Sequence, residues 1–290
     1  MALISPSDAA HLAVRNGRRL RGRYQLQGLE VSGTAPAAVV RGLRKATVGL
    51  PSAEEKAWIE RIELLRSLLL TSPRPLEILD LGAGSAVEAD SGAARTPSVS
   101  SRTLGTMTKS SKPPRWAYLL FRLIREVGPV NCLEMGACVG ISAAYQAAAL
   151  ELNGGKGRLL SLEGADVLAE RSARSLEELG LDGRAEIRLG RFSDTLDAAL
   201  AELRPVDWAF IDGDHQEAGT LAYMEQVLAT AGDEAVLVFD DINWSAGMRS
   251  AWRAVVADQR FALTVDLRSV GLAVVSRSAT ERRDLTISYY

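Results

Sequence analysis

Apolar residues follow two different periods along the chain. Between residues 54 and 70 they recur every three or four positions, at Trp58, Ile62, Leu65 and Leu69, which predicts an amphipathic helix ended by the breaker "TSPRP". From about residue 113 onward, short apolar runs alternate with helical stretches, which is the pattern of βαβ units around a parallel sheet. The predicted strands are 130–134, 158–163, 185–189, 206–212, 235–240, 261–266 and 271–275.

These elements predict an α/β fold with a doubly wound, seven-stranded, mostly parallel sheet, in which the last two strands form a hairpin and an antiparallel edge. Residues 1–112 are expected to form a mainly helical N-terminal extension, 113–278 the main domain, and 279–290 a C-terminal tail. Within the extension, 77–85 reads as a short strand and glycine turn. The Ser/Thr-rich stretch 91–112 reads as a long surface loop.

Composition and charge narrow the class of protein. The 290 residues are 47% hydrophobic and 24% charged with a net charge of −2, as in an ordinary soluble globular protein, and no apolar run reaches the roughly 20 residues of a membrane helix. Residues 1–50 are basic, which fits a solvated helical face, with a transit peptide or a face toward an acidic partner as alternatives. We expect no nucleic acid and no membrane as partners. Cys132 and Cys138, the two cysteines, suggest a reducing compartment, hence the cytoplasm.

Two glycine loops follow apolar runs, "EILDLGAGSAVEAD" at 77–90 and "NCLEMGACVGISAAYQAAAL" at 131–150. A loop that holds a cofactor in such a sheet opens directly into a helix, and only the second does so. Gly136 and Gly140 allow close backbone approach, and Glu163 ends the next strand, where it can accept hydrogen bonds from ribose hydroxyls. The spacing lacks the third glycine of the dinucleotide fingerprint, which favours S-adenosylmethionine over NAD.

Acidic residues follow two later strands, in "AFIDGDHQEAG" and "LVFDDINWSAG". Asp212, Asp240 and Asp241 are therefore expected at one edge of the sheet, where they either bind Mg²⁺ through oxygen ligands or cap the following helices. His215, three residues after Asp212, is placed to accept a proton from a substrate hydroxyl.

The stretches "LEMGACVGIS", "LSLEG", "FIDGDH" and "VFDDINWS" resemble the class I S-adenosylmethionine-dependent methyltransferases, specifically the divalent-metal-dependent O-methyltransferases of the catechol and macrolide-sugar type. The resemblance covers about residues 113–275. It implies that Asp212, Asp240 and Asp241 bind Mg²⁺ and that His215 is the base, with Asp212 beside it. The residues it implies around the cofactor are Glu134, Gly136, Ala137, Gly140, Ser142, Glu163, Gly164, Gly190, Arg191, Phe192, Ser193 and Asp212.

The expected reaction is methyl transfer to a hydroxyl of a small molecule such as a natural product or a sugar-like acceptor. Asp241 departs from the catechol pattern, which has Asn at that position. A non-catalytic S-adenosylmethionine-binding protein and a metal-independent N- or C-methyltransferase are the alternatives, and a homo-oligomer is left open. Arg102 and Lys109 make 91–112 a candidate lid, and Trp116, Trp244 and Trp252 are candidates for a pocket wall.

Overall fold

The computed structural model describes residue 17 and residues 20–80 and 98–289. The predicted glycine turn at Gly82–Gly84 and the first part of the predicted lid, 91–97, lie outside the described residues, as does most of the basic N-terminal segment.

The centre of the fold is an eight-stranded sheet with helices packed on it. Its strands are β3 (Asn131–Met135), β4 (Arg158–Glu163), β5 (Ala185–Leu189), β6 (Val206–Ile211), β7 (Ala231–Phe239), β8 (Leu263–Asp266), β9 (Gly271–Ser276) and β10 (Arg283–Thr286). They lie in the order β10-β8-β9-β7-β6-β3-β4-β5. The predicted α/β class and mostly parallel sheet are confirmed.

The structure differs from the predicted sheet in two places. Residues 283–286, expected in a tail, form β10, which pairs in parallel with β8. β8 and β9 form the predicted hairpin, but antiparallel β9 lies between β7 and β8 and is not an edge strand. Strand β10 was not predicted because its sequence, "RDLT", is short and polar and carries no apolar strand pattern.

The helices in the described parts of the chain cover both faces of the sheet or precede it. Those that lie wholly within the described residues are α1 (Thr34–Val48), α2 (Ala53–Leu70), α3 (Leu104–Ser110), α4 (Pro114–Val127), α5 (Ile141–Leu152), α6 (Asp166–Leu179), α7 (Phe192–Leu203), α8 (Glu217–Leu228) and α9 (Ala246–Ala257). Residues 20–26 are helical as well. α2 confirms the predicted amphipathic helix, which begins at a capping box of Ser52 and Glu55 and buries Ile62, Leu65 and Leu69. None of the described helices is long and apolar enough to span a bilayer.

A two-stranded hairpin precedes the main sheet. β1 (Pro75–Asp80) pairs antiparallel with β2 (Ser98–Thr103), and α3 follows directly, with its first turn capped by the Thr103 side chain. The prediction of a long surface loop over residues 91–112 is thus wrong from residue 98 onward. "SVSSRT" has little apolar character, and it forms a strand because it pairs along its whole length with β1.

The strand order reverses next to β3. β4 and β5 continue on one side of β3, whereas β6 and β7 lie on the other. Ligands of open α/β sheets bind outside the carboxyl ends of the strands at this kind of switch point, so the ends of β3 and β6 are where a site is expected.

Candidate functional site

A cavity of about 770 Å³ opens at the carboxyl ends of β3, β4 and β6. Its other side is formed by the β1–β2 hairpin and α3, through Ile78, Ser100, Arg102 and Met107. Several predicted site residues line it, namely Gly136, Glu163, Gly164, Arg191, Phe192, Ser193, Asp212 and His215. The predicted lid region therefore lies on the same face as Asp212, over the part that the structure describes.

Backbone hydrogen bonds hold the strand ends in one row just beyond the sheet. Gly136 N donates to Leu162 O at 2.9 Å, Asp212 N donates to Met135 O at 3.0 Å, and Asp240 N donates to Ile211 O at 3.0 Å. This continuation of the ladder places the side chains that follow β3, β6 and β7 next to one another on a rigid edge.

Gly136 lets the loop after β3 lie directly against the end of β6. Its φ is +104°, and a Cβ built there would lie 2.1 Å from the carbonyl oxygen of Asp212. No side chain fits that space, because real Cβ atoms do not approach backbone oxygen so closely. The loop then enters α5 at Gly140, whose φ is +86°.

Glu163 is the acid predicted for ribose, and its carboxylate is fixed by the loop opposite. Its two oxygens accept hydrogen bonds from Cys138 N at 2.8 Å and Ala165 N at 3.0 Å. Burial raises its pKa despite these donors, with the Asp212 charge adding to the rise. Each carboxylate oxygen accepts more than one hydrogen bond, so Glu163 can still receive donors from a ligand in the cavity.

Phe192 forms an apolar wall at the start of α7. Its ring meets that of Tyr223 edge to face, with 5.7 Å between the ring centroids. A Cβ on Gly213 would lie 2.6 Å from the same ring, so Gly213 leaves room for it. A flat aromatic face beside the hydrogen-bonding Ser193 suits a purine base.

Five of the predicted cofactor residues do not line the cavity. Ala137, Gly140 and Gly190 shape the loops around it, and Ser142 is buried in α5. Glu134 is fully buried behind the loop, where it accepts hydrogen bonds from Gln146 Nε2 at 2.7 Å and Ser161 Oγ at 2.5 Å. The structure thus places Glu134 in a network that supports the loop after β3.

Burial raises the pKa of Glu134 to about 7, although Ser161, Ser142 and Gln146 favour its charged form. Because this value exceeds the ordinary 4.5, the folded state binds more protons than the unfolded state between pH 4.5 and about 7. The free energy of unfolding therefore falls as pH rises through that window, by roughly 3 kcal/mol from this group.

We expect Glu134→Gln to remove this loss, because glutamine keeps an acceptor for Gln146 and carries no charge. Denaturant unfolding of both proteins from pH 4 to 8 should show the variant gaining stability relative to wild type as pH rises. A difference that does not change with pH would show that Glu134 does not titrate in this window.

Lys112 joins the partly exposed carboxylate of Asp212, at the end of β6, to the buried carboxylate of Asp240, at the end of β7. Its ammonium nitrogen contacts Asp240 Oδ2 and lies 3.4 Å from Asp212 Oδ2. Lys112 is 9% exposed and Asp240 is 2% exposed. Lys112 was not predicted as a site residue. The one sequence feature that marks it is its position just before Pro113 and Pro114, at the start of α4.

His215 stands at the same edge. Its Nε2 lies 3.8 Å from Asp212 Oδ1, and its ring packs against Trp244, with 5.5 Å between centroids. Of the five non-glycine residues with positive φ in the described chain, four lie at this edge, namely Cys138, Asp214, His215 and Asp241. Such strained backbone is held in place by its surroundings and is common at functional sites.

The other two tryptophans expected near a pocket lie elsewhere. Trp116 packs on Tyr289, with 5.1 Å between ring centroids. Trp252 is buried and donates from Nε1 to Asp266 Oδ2 at 3.0 Å. Of the three, Trp244 is the one placed beside His215.

The predicted magnesium ligands do not form a metal-binding group in the described structure. Within residues 20–80 and 98–289, no three His, Cys, Asp or Glu side chains are grouped to hold a metal ion. Mg²⁺ requires near-octahedral oxygen ligands at 2.0–2.1 Å. Since Asp212 and Asp240 face the Lys112 ammonium, the residues present do not fit that requirement.

Comparisons with known proteins identify the central part of the chain. Residues 133–242 match the family model of a methyltransferase domain. A catechol O-methyltransferase of Niastella koreensis is 30% identical over 128 residues, which are 44% of this chain and 55% of the relative. The chain thus aligns with just over half the length of that curated relative.

Two solved structures have a similar chain course. An O-methyltransferase from Bacillus cereus in complex with SAH has a TM-score of 0.49 at 21% identity, over 80% of this chain and 95% of that one. An O-methyltransferase from Streptomyces achromogenes in complex with SAM has a TM-score of 0.49 at 20% identity, over 78% and 100% of the two chains. The family match contains the glycine loop at Gly136 and the acid Glu163, so residues 133–242 are similar to a methyltransferase domain over the part of the chain that forms the cavity.

Proposed function

We propose that this protein transfers a methyl group from S-adenosylmethionine to a hydroxyl oxygen of a small molecule, with His215 as the base. The observation that carries the proposal is a single cavity lined both by the predicted cofactor residues and by His215. A pure binding protein would have no need of a half-buried imidazole held beside a carboxylate at that edge.

The residues of the cavity fit S-adenosylmethionine. Glu163 would hold the ribose hydroxyls, Phe192 and Ser193 the adenine, and the backbone around Gly136 the methionine part. When bound, the cofactor supplies a methyl group on a sulfonium sulfur, which keeps the bonding electrons as the methyl passes to the acceptor oxygen.

His215 would take the proton that the acceptor hydroxyl loses. Its Nε2 faces Asp212 Oδ1, and this carboxylate stabilises the imidazolium once the proton has been taken. The strained backbone at His215, with a φ of 48°, fixes the ring at the rim, and Trp244 limits its rotation. Asp212 is therefore proposed to orient the base.

The expected assistance by Mg²⁺ is not part of the proposed step, because Lys112 engages the carboxylates of Asp212 and Asp240. A natural product or sugar-like acceptor, a cytoplasmic location and self-association stay predictions. Residues 98–112 are proposed as a wall of the acceptor side, with Arg102 in the cavity and Lys109 exposed.

The alternatives differ in what they require of His215. A non-catalytic binder needs only the cofactor part of the cavity. An N-methyltransferase acting on a neutral amine, or a C-methyltransferase, does not require a base that takes the proton of a hydroxyl. The identity of the methylated atom therefore separates these classes.

The test is transfer of labelled methyl from S-adenosylmethionine to a panel of catechols, phenols, sugars and amines, followed by mass spectrometry of the product. We expect methylation at oxygen. His215→Gln should lower turnover about 10²- to 10⁴-fold, while leaving the affinity for S-adenosylmethionine unchanged. Transfer to nitrogen, or an unchanged turnover in the variant, would contradict the proposal.

A further inference from the structure

We propose that the Lys112 ammonium is the resident cation of the Asp212–Asp240 pair, and that it takes the place a divalent metal would need there. The protein then binds no divalent ion at this edge, and its methyl transfer proceeds without one. The second statement rests on the proposed function, whereas the first concerns the chain's own charges.

The contacts of Lys112 join both acids at once. Its Nζ reaches Asp240 Oδ2 and lies 3.4 Å from Asp212 Oδ2, and the two acids directly follow strands β7 and β6, which are neighbours in the sheet. A metal ion bridging the same oxygens would occupy the same space. Since ammonium and metal repel each other at that separation, the pair accepts one or the other.

Burial makes the ammonium a fixed part of the site. Lys112 is 9% exposed, and its Nζ lies 5.8 Å from the centroid of the buried Phe210 ring. A lysine charge is retained in such surroundings when carboxylates pair with it. Asp240 is 2% exposed, so this charge in turn depends on Lys112.

The backbone also limits how far Lys112 can move. Pro113 follows it directly and restricts its conformation to the extended region, and Pro114 begins α4. That helix is anchored in the core by its buried face, which includes Leu120, Phe121 and Leu123. The lysine is thus held at its place by a rigid helix start and not by a free loop.

The third predicted ligand does not restore a metal site. Asp241 is half-buried with a φ of 51°, and the described residues contain no group of three acids, histidines or cysteines suited to a metal. With Lys112 present, the acids at this edge have a cation of their own.

The test measures Mn²⁺ binding directly, by electron paramagnetic resonance and calorimetry on the purified full chain. We expect wild type to show no saturable site at millimolar Mn²⁺. Lys112→Ala should free both carboxylates and gain one site per chain, with an affinity at least tenfold above wild type. Lys156→Ala, which removes an exposed lysine elsewhere, should behave as wild type.

Two results would overturn the proposal. One is a saturable Mn²⁺ site in wild type that Asp240→Asn abolishes. The other is no gain of binding in Lys112→Ala, since Lys112 would then not be what keeps the metal out. If that variant fails to fold by circular dichroism, Lys112→Gln, which keeps two of the four methylene groups of the stem, is titrated in the same way.

The outcome is separable from that of the proposed function. Should no hydroxyl compound accept a methyl group, the methyltransferase proposal fails while the Mn²⁺ titrations still decide the role of Lys112. With an acceptor in hand, transfer that is unchanged after exhaustive chelation supports the second half of the inference, and transfer lost to chelation and restored by Mg²⁺ contradicts it.

Discussion

Replacing Lys112 with methionine is expected to lower the free energy of unfolding by about 3–5 kcal/mol. Methionine fills the space of the lysine stem, so packing is largely retained. The loss arises because Asp240, which is 2% exposed, keeps its carboxylate and loses its cation. Denaturant unfolding at neutral pH, followed by circular dichroism, measures the difference.

The double variant Lys112→Met with Asp240→Asn provides the control. Removing both charges leaves no unpaired buried ion, so most of the lost stability should return. If the single variant is as stable as wild type, or if the double variant is no more stable than the single one, then Lys112 and Asp240 do not form the buried pair described above.

Gly136→Ala is expected to have the second large effect, a destabilisation of roughly 2–5 kcal/mol. The added methyl group would lie 2.1 Å from Asp212 O, and the φ of +104° is strained for alanine. Relief requires the ends of β3 and β6 to separate, which deforms the cavity as well. Affinity for S-adenosylmethionine should fall at least tenfold in the fraction that folds.

Gly180→Ala separates the two causes of that effect. Gly180 ends α6 with a φ of +70°, and a Cβ there meets nothing within 4 Å. Gly180→Ala should lower the free energy of unfolding by about 1 kcal/mol and leave the affinity for S-adenosylmethionine unchanged. Equal effects of the two substitutions would mean that the close contact between Gly136 and Asp212 does not matter.

Sequence periodicity was sufficient to predict most of the main sheet. Buried parallel strands are continuous apolar runs, and such runs end close to their observed limits at β4 and β5. β10 and β2 could not be predicted, because their polar residues form strands through pairing with neighbours and not through their own pattern.

The site was predicted in part for the same reason. Asp212, Asp240 and His215 follow strands, so the topology alone brings them to one edge. Lys112 arrives there from the start of α4, about 100 residues earlier in the chain than Asp212, and no local pattern links a lysine before two prolines to those acids. Glu134 was expected at the cofactor but is buried behind the loop, where Gln146 and Ser161 donate hydrogen bonds to its carboxylate.

The most direct test of the account is calorimetric titration of S-adenosylmethionine into the full chain in the presence of a chelator. We predict one binding site per chain, weakened about tenfold to hundredfold by Glu163→Gln through loss of a charged hydrogen bond and unaffected by Glu177→Gln on the exposed face of α6. Absence of binding, or equal affinity in wild type and Glu163→Gln, would contradict the cavity at the ends of β3, β4 and β6 as the cofactor site.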